Sequence, residues 1–197
     1  MSDGSGKLAH FNIALFAESD ELIAACTKFA RSNLAQYADG YLLGEDAWPH
    51  ITLSQFIVEE NKIASVWSAV ESLRTDPIKL RFSHIYILPG VLIHKGKQWV
   101  GLALPANGEI FSLQKMVFDK LATLKIEGIT KPNSYFPHLT WGRVKPNATL
   151  NLEDIPPDEF WRKEYSFVLS LGRSDAGGFG IYRERLFPTP VRSLNAV

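Results

Sequence analysis

Trp48-Pro49-His50-Ile51-Thr52-Leu53-Ser54-Gln55 recurs 88 positions later as Phe136-Pro137-His138-Leu139-Thr140-Trp141-Gly142-Arg143. Both stretches read aromatic, Pro, His, aliphatic, Thr, apolar, small, polar. In a β-strand, residues i and i+2 share a face and lie roughly 6.5 to 7 Å apart. Each copy therefore sets an imidazole beside a hydroxyl, while Ile51 and Leu139 point the opposite way into a core. One such match is expected roughly once in 200 chains of this composition. A lone strand histidine is ordinarily structural, but a second copy with its own threonine reverses that expectation.

The repeat extends outward from the motif. Asn12-Ile13-Ala14-Leu15 corresponds to Trp99-Val100-Gly101-Leu102 at an offset of 87, and a helix follows each. The predicted elements in the first half are a strand over 10–16, a helix over 20–37 capped by Ser19 or Asp20, and the His50 strand running to Val58. A helix over 61–73 and a strand over 78–88 follow, then a strand pair over 91–94 and 98–104. The second half holds a helix over 107–126, a polar loop over 130–134 and the His138 strand. A helical turn over 158–162 and strands over 165–172 and 180–186 close the chain. The Ser174-Asp175-Ala176-Gly177-Gly178 stretch reads as a hairpin turn, because no helix follows it to complete a phosphate loop.

Strand, helix and His-bearing strand thus occur twice, the order of a duplicated α+β lobe. The expected fold is one domain over 1–197 with pseudo-repeat lobes at about 8–75 and 97–150. Two antiparallel sheets carry helices on their outer faces, and a central cleft receives a His and a Thr from each lobe. Ala14 and Gly101 are expected to leave room for a ligand at its floor.

Composition narrows the function. The 197 residues balance 21 basic against 21 acidic side chains, so no global field steers long nucleic acid onto the surface. Cys26 is the only cysteine, which excludes an intramolecular disulfide and a cysteine-based zinc site. It sits on the apolar stripe of the first helix and reads as core packing. No run of eighteen apolar residues occurs, and Met1 to Lys7 is polar and Gly-rich, so the expectation is a cytoplasmic protein without membrane association. The Asn147-Ala148-Thr149 sequon is then without consequence. His84 and His94 lack a threonine at i+2 and read as structural or surface residues.

Two imidazoles across a cleft suit general acid–base catalysis near neutral pH. Two threonine hydroxyls suit donation to non-bridging phosphate oxygens. Together they fit in-line displacement at a phosphodiester with a neighbouring ribose hydroxyl. The twin His50-Ile51-Thr52 and His138-Leu139-Thr140 signature resembles that of the 2H phosphoesterase superfamily, which includes the 2′,5′ RNA ligase-like and cyclic phosphodiesterase families. The resemblance spans about Ala9 to Thr189, including closing strands near Leu169 to Tyr182. It implies hydrolysis of a 2′,3′-cyclic phosphate, or cleavage of a 2′,5′- or 3′,5′-linked short RNA or oligonucleotide, by a monomer with no metal and no cofactor. His50 and His138 would be catalytic, with Thr52 and Thr140 binding phosphate beside them. Arg143 matches an arginine often found after the second motif and Tyr135 an aromatic often found before it. These two, with the corresponding positions Asn12 and Trp99, are the expected substrate contacts. Gln55 stands where Arg143 does in the second copy, so positive charge at the phosphate would come from one side. Strand parity also sets Arg143 opposite His138, so that role requires a bulge or a strand end. The other readings are a metal-dependent hydrolase using Glu45 and Asp46, a non-catalytic AMP-type binding module of the same fold, and a purely structural use of both pairs.

Overall fold

The two motif strands, β3 (His50–Glu59) and β7 (His138–Val144), are neighbours at the centre of the sheet. They meet through a single antiparallel pair, Ile51 with Leu139. The computed structural model describes residues 6–105, 108–146, 148, 156–175 and 184–188. Outside these lie Asn107 at the expected helix start, Asn147 and Thr149 of the sequon, Ala176 to Gly178, and residues 180–183 of the last expected strand, Tyr182 included.

On one side of the central pair, β3 pairs with β1 (Leu8–Ala17), β1 with β8 (Tyr165–Arg173), and β8 with both β4 (Ile78–Leu80) and β9 (Glu184–Phe187). On the other side, β7 pairs with β6 (Gln98–Ala103) and β2 (Ala38–Leu42), and β6 with β5 (His84–Pro89). Every described pairing is antiparallel. Among the described residues, the two expected sheets are therefore joined through Ile51 and Leu139 into one nine-stranded sheet.

Among the described residues, four α-helices cover the sheet: α1 (Asp20–Leu34), α2 (Ile63–Val70), α3 (Gly108–Thr123) and α4 (Asp158–Arg162). Ser19 caps α1 by accepting the Leu22 N–H at 3.2 Å, and Asp20 and Glu21 complement the positive end of its dipole. Its buried stripe is Leu22, Cys26, Phe29, Ala30 and Leu34. Cys26 is 1% exposed and burial pushes its thiol up to about 12, so it remains an unreactive part of the core. Each long helix serves the opposite lobe's motif strand. Helix α1 packs on β7, with the Phe29 and Trp141 rings 4.0 Å apart, and α3 packs on β3.

Both motif strands are bulged at equivalent places. Ile13 pairs with Ser54 but Ala14 with Thr52, which leaves Leu53 as the extra residue. Val100 pairs with Gly142 but Gly101 with Thr140, which leaves Trp141 as the extra residue, 88 positions on. A bulge frees a carbonyl from the ladder, and each here has a partner. Gln114 on α3 donates to the Leu53 carbonyl at 3.3 Å, and the Leu43 N–H donates to the Trp141 carbonyl at 2.8 Å.

Several sequence expectations are corrected. The strand expected over 78–88 is two strands, β4 and β5, which serve different halves of the sheet. Phe82 between them remains buried against Phe160, Tyr165 and Phe167, so the apolar alternation never lapses. Residues 91–94 are not a strand: Leu92–His94 forms a 3₁₀ turn, and Leu92 has φ 51°. Ala38-Asp39-Gly40, directly after the helix expected over 20–37, opens β2, a strand the sequence pattern does not predict. Gly101 leaves no room for a ligand. A Cβ there would meet the Leu139 carbonyl oxygen at 2.1 Å, and Ala14 is 0% exposed.

Candidate active site

Each motif fixes its histidine by the same local device. A residue before proline is driven to extended backbone, and its carbonyl then lies beside the imidazole two residues on. The His50 Nδ1–H donates to the Trp48 carbonyl at 2.7 Å, and the His138 Nδ1–H donates to the Phe136 carbonyl at 2.6 Å. A carbonyl only accepts, so both neutral rings carry their proton on Nδ1 and their lone pair on Nε2.

The threonines are oriented by partners distant in sequence. Asn12 Nδ2 donates to Thr52 Oγ1 at 3.0 Å, which fills an acceptor site and leaves the Thr52 hydroxyl proton to donate elsewhere. The Tyr86 and Thr140 hydroxyls are 2.9 Å apart. Burial raises the Tyr86 pKa, so its phenol stays protonated, and either hydroxyl can donate to the other. Two further tyrosines reach across the motifs. Tyr135 donates to the Thr52 carbonyl at 3.0 Å and Tyr41 to the Thr140 carbonyl at 3.4 Å.

Pairing of Ile51 with Leu139 sets His50 across from Thr140 and Thr52 across from His138. The two histidines are then diagonal neighbours on one face, about 7 to 8 Å apart by strand geometry. A cavity of about 330 Å³ opens over them. His50, Thr52, His138 and Thr140 all line it, with Tyr41, Gln55, Tyr86, Leu88, Pro89, Trp99, Thr130, Ser134, Tyr135 and Phe136. This volume falls within the range of small-molecule sites.

His138 is set among aromatic rings. His138 stacks on Phe136 with ring centroids 5.2 Å apart and meets Tyr86 edge-on, also at 5.2 Å. Desolvation lowers its pKa below the ordinary 6.5, partly opposed by the hydrogen bond to the Phe136 carbonyl. On the side of the first motif, Trp48 packs on Phe16 with ring centroids 5.6 Å apart.

Of the other expected contacts, Tyr135 and Trp99 line the cavity, although the Tyr135 hydroxyl is committed to Thr52. Asn12 is 0% exposed and touches the site only through Thr52, so it is corrected from a substrate contact to a residue that orients one. The bulge at Trp141 supplies the parity change that Arg143 required: Arg143 pairs with Trp99, on the face of Thr140. Its guanidinium nevertheless stops short of the cavity lining. It is bound to the Asp39 carbonyl, to the Asp39 carboxylate and to His94 Nδ1. Gln55 returns to the cavity face by the equivalent bulge at Leu53 and lines it. Sequence reasoning missed Tyr41 and Tyr86 as supports for the site, and nothing local marks them. Phe136 was legible as the motif's first residue.

Among the described residues, no group of three or more His, Cys, Asp or Glu side chains could hold a metal ion. Glu45, considered as a ligand, pairs with Arg31 at 3.5 Å and is largely exposed. No helix among the described residues is long and apolar enough to cross a membrane.

No family sequence model matches the chain, and no curated protein matches it by sequence. Solved structures do match it. E. coli LigT, crystallised with NADP⁺, superposes with a TM-score of 0.60 at 16% identity, over 90% of this chain and 95% of that one. A protein described as a phosphoesterase superposes with a TM-score of 0.56 at 18% identity, again over 90% and 95%. LigT crystallised with 3′-AMP gives a TM-score of 0.51 at 15% identity over 86% and 89%. Nearly the whole chain therefore has the α+β fold of E. coli LigT and of that phosphoesterase.

Proposed function

We propose that this chain is a phosphodiesterase of the 2H type, acting without a metal on a 2′,3′-cyclic phosphate or a short 2′,5′- or 3′,5′-linked oligonucleotide. One observation carries the reading. Two histidines, each locked by Nδ1 to the carbonyl two residues back, share one cavity with two threonine hydroxyls, each oriented by a hydrogen bond with a partner distant in sequence, Asn12 for Thr52 and Tyr86 for Thr140. A fold shared with LigT, itself crystallised with NADP⁺ and 3′-AMP, supports a nucleotide as occupant.

Neutral His138 takes the proton of the attacking water or hydroxyl through Nε2, as its desolvated aromatic surroundings favour the uncharged ring. The attacking oxygen bonds to phosphorus, and the bond from phosphorus to the leaving ribose oxygen breaks. Protonated His50 delivers its Nε2 proton to that oxygen, so protons balance over the step. The Nδ1–H···O=C bonds hold both rings in place and stabilise each as an imidazolium. Thr52 and Thr140 donate to the non-bridging oxygens, where negative charge accumulates in the transition state.

The test is turnover of a 2′,3′-cyclic nucleotide and of a 2′,5′-linked dinucleotide, with and without EDTA. Undiminished turnover in EDTA is expected. Loss in EDTA with recovery on zinc or manganese would overturn the metal-free mechanism. Saturable 3′-AMP binding with no turnover of any diester would identify an AMP-type binding module instead.

A further inference from the structure

Arg143 sits where a guanidinium would be expected to meet phosphate, yet its donors are engaged within the protein. Nε donates to the Asp39 carbonyl at 2.6 Å, Nη2 lies 3.3 Å from Asp39 Oδ1, and Nη1 donates to His94 Nδ1 at 2.8 Å. The group is 6% exposed and lies over the Trp99 ring at 5.7 Å. Guanidinium has no acceptor, so His94 must offer a lone pair at Nδ1 and carry its proton on Nε2. The second carboxylate oxygen of Asp39 holds Lys97. Lys97 and Arg143 together keep the Asp39 carboxyl below its ordinary range, so it remains an anion.

His94 and Lys97 both belong to the 90–97 loop between β5 and β6. That loop is internally braced. The Gly90 N–H donates to the Lys97 carbonyl at 2.8 Å, the His94 N–H to Val91 at 2.9 Å and the Lys97 N–H to His94 at 3.0 Å. A Cβ on Gly90 would meet the His94 carbonyl oxygen at 2.2 Å, so only glycine allows the loop to close this tightly. The loop has little apolar anchorage of its own: Val91, Leu92 and Ile93 are 67%, 89% and 74% exposed. Its polar ties to β2 and β7 therefore decide where it sits. Its two ends are cavity wall, Leu88 and Pro89 on one side and Trp99 on the other. The Trp99 ring is further bracketed edge-on by His94 at 5.1 Å and Tyr41 at 5.8 Å.

We propose that Arg143, Asp39 and His94 form a clamp that fixes the β5–β6 hairpin and the Leu88, Pro89 and Trp99 wall of the cavity. Arg143 is then a positioning residue that sets substrate affinity through the wall, in place of a direct phosphate ligand. The kinetic half of this inference rests on the phosphodiesterase reading, whereas the structural half does not. To reach a phosphate, Arg143 would have to leave a carboxylate, a carbonyl and an imidazole, and Asp39 would lose one of its two cations.

Limited proteolysis reads the clamp independently of activity, because trypsin can cut the loop after Lys95. His94→Ala and Arg143→Met should each raise the rate of that cut at least fivefold, and His94→Asn, whose amide oxygen can replace Nδ1, should return it to near the wild-type rate. With a 2′,3′-cyclic nucleotide, His94→Ala should raise KM about three- to tenfold with kcat within twofold. The His94→Ala/Arg143→Met double variant should be no worse in KM than Arg143→Met alone, since both cut the same tie. Unchanged Lys95 cleavage and KM in His94→Ala, with a large kcat loss in Arg143→Met, would overturn the clamp and return Arg143 to the phosphate. Should Arg143→Met fail to fold, the His94 pair decides alone. If no diester is turned over, the phosphodiesterase reading falls while the cleavage rates still decide the clamp.

Discussion

Gly101→Ala tests whether the close approach of β6 to β7 at Gly101 is what holds His138 and Thr140 at the cavity. A Cβ at Gly101 would meet the Leu139 carbonyl oxygen at 2.1 Å, Thr140 Cα at 2.9 Å and Tyr86 Cε1 at 2.9 Å. Ordinary contact begins at 3.4 Å, so β7 must retreat by about 1.3 Å, and the obstacle is backbone that no rotamer change can move. Overpacking of this kind costs about 1 to 3 kcal/mol, or roughly 2 to 12 °C in Tm for a chain of this size. The larger effect falls on chemistry. The displaced segment carries His138 and Thr140, and the displaced ring carries the hydroxyl that orients Thr140. A misplacement of about 1 Å at reacting groups costs on the order of 10²-fold in rate. The assay is thermal melting together with kcat/KM on a cyclic nucleotide. Gly108→Ala, where a Cβ meets nothing within 4 Å, is the control and should match wild type in both. A Gly101→Ala protein with wild-type Tm and kcat/KM would refute the reasoning.

His50→Ala and His138→Ala should each lower kcat by about 10²- to 10⁴-fold, the usual worth of a general acid or base. Circular dichroism should show both variants folded, and loss of the fold would return the histidines to a structural role. The acid limb of kcat/KM, which reports the base in the free enzyme, should fall below pH 6.5, because desolvation lowers the His138 pKa. The same shift makes stability pH-dependent. Unfolded His138 binds a proton more readily than folded, so Tm should fall as pH drops through 6.5 toward the folded value and level off above it. His138→Asn should flatten that slope, and an unchanged slope would assign it to other groups. Tyr86→Phe removes only the partner of the Thr140 hydroxyl and should cost about 0.5 to 1.5 kcal/mol in kcat/KM, roughly two- to twelvefold. A loss beyond 10²-fold would show the phenol acting on substrate itself.

What the sequence disclosed and what it hid divide along one physical line. The His-Thr pairs, the α1 stripe and the Ser19 cap are written in residues within four positions of each other, where periodicity and backbone preference speak directly. Even the bulges left a trace. The two bulges fall at matching places, Leu53 and Trp141. Parity alone showed that Arg143 needed such a break. Strand β2 was hidden because Asp39-Gly40 reads as a helix stop, and Gly40 does take φ 81°, but within a strand. The split between β4 and β5 was hidden because Phe82 keeps the alternation unbroken while the chain changes sheet halves. Val91 to Ile93 misled in the opposite sense, since three consecutive β-formers occupy an exposed loop and turn whose shape is set by Gly90 and polar ties.

The supports of the site had no local signature because they come from the other half of the chain. Tyr135, just before the second motif, bonds the first motif's Thr52, and Tyr41, ahead of the first motif, bonds the second motif's Thr140. The helices repeat this exchange: α1 follows β1 but packs on β7, and Gln114 of α3 takes the bulged carbonyl of β3. Only one residue pair joins β3 to β7 directly, so these crossed contacts carry much of the task of holding the two histidines at a fixed separation. A reaction that needs one imidazole to receive a proton while the other releases one places its strictest demand on that separation. The crossed tyrosines and helices meet it by making each motif's geometry depend on the presence of the other.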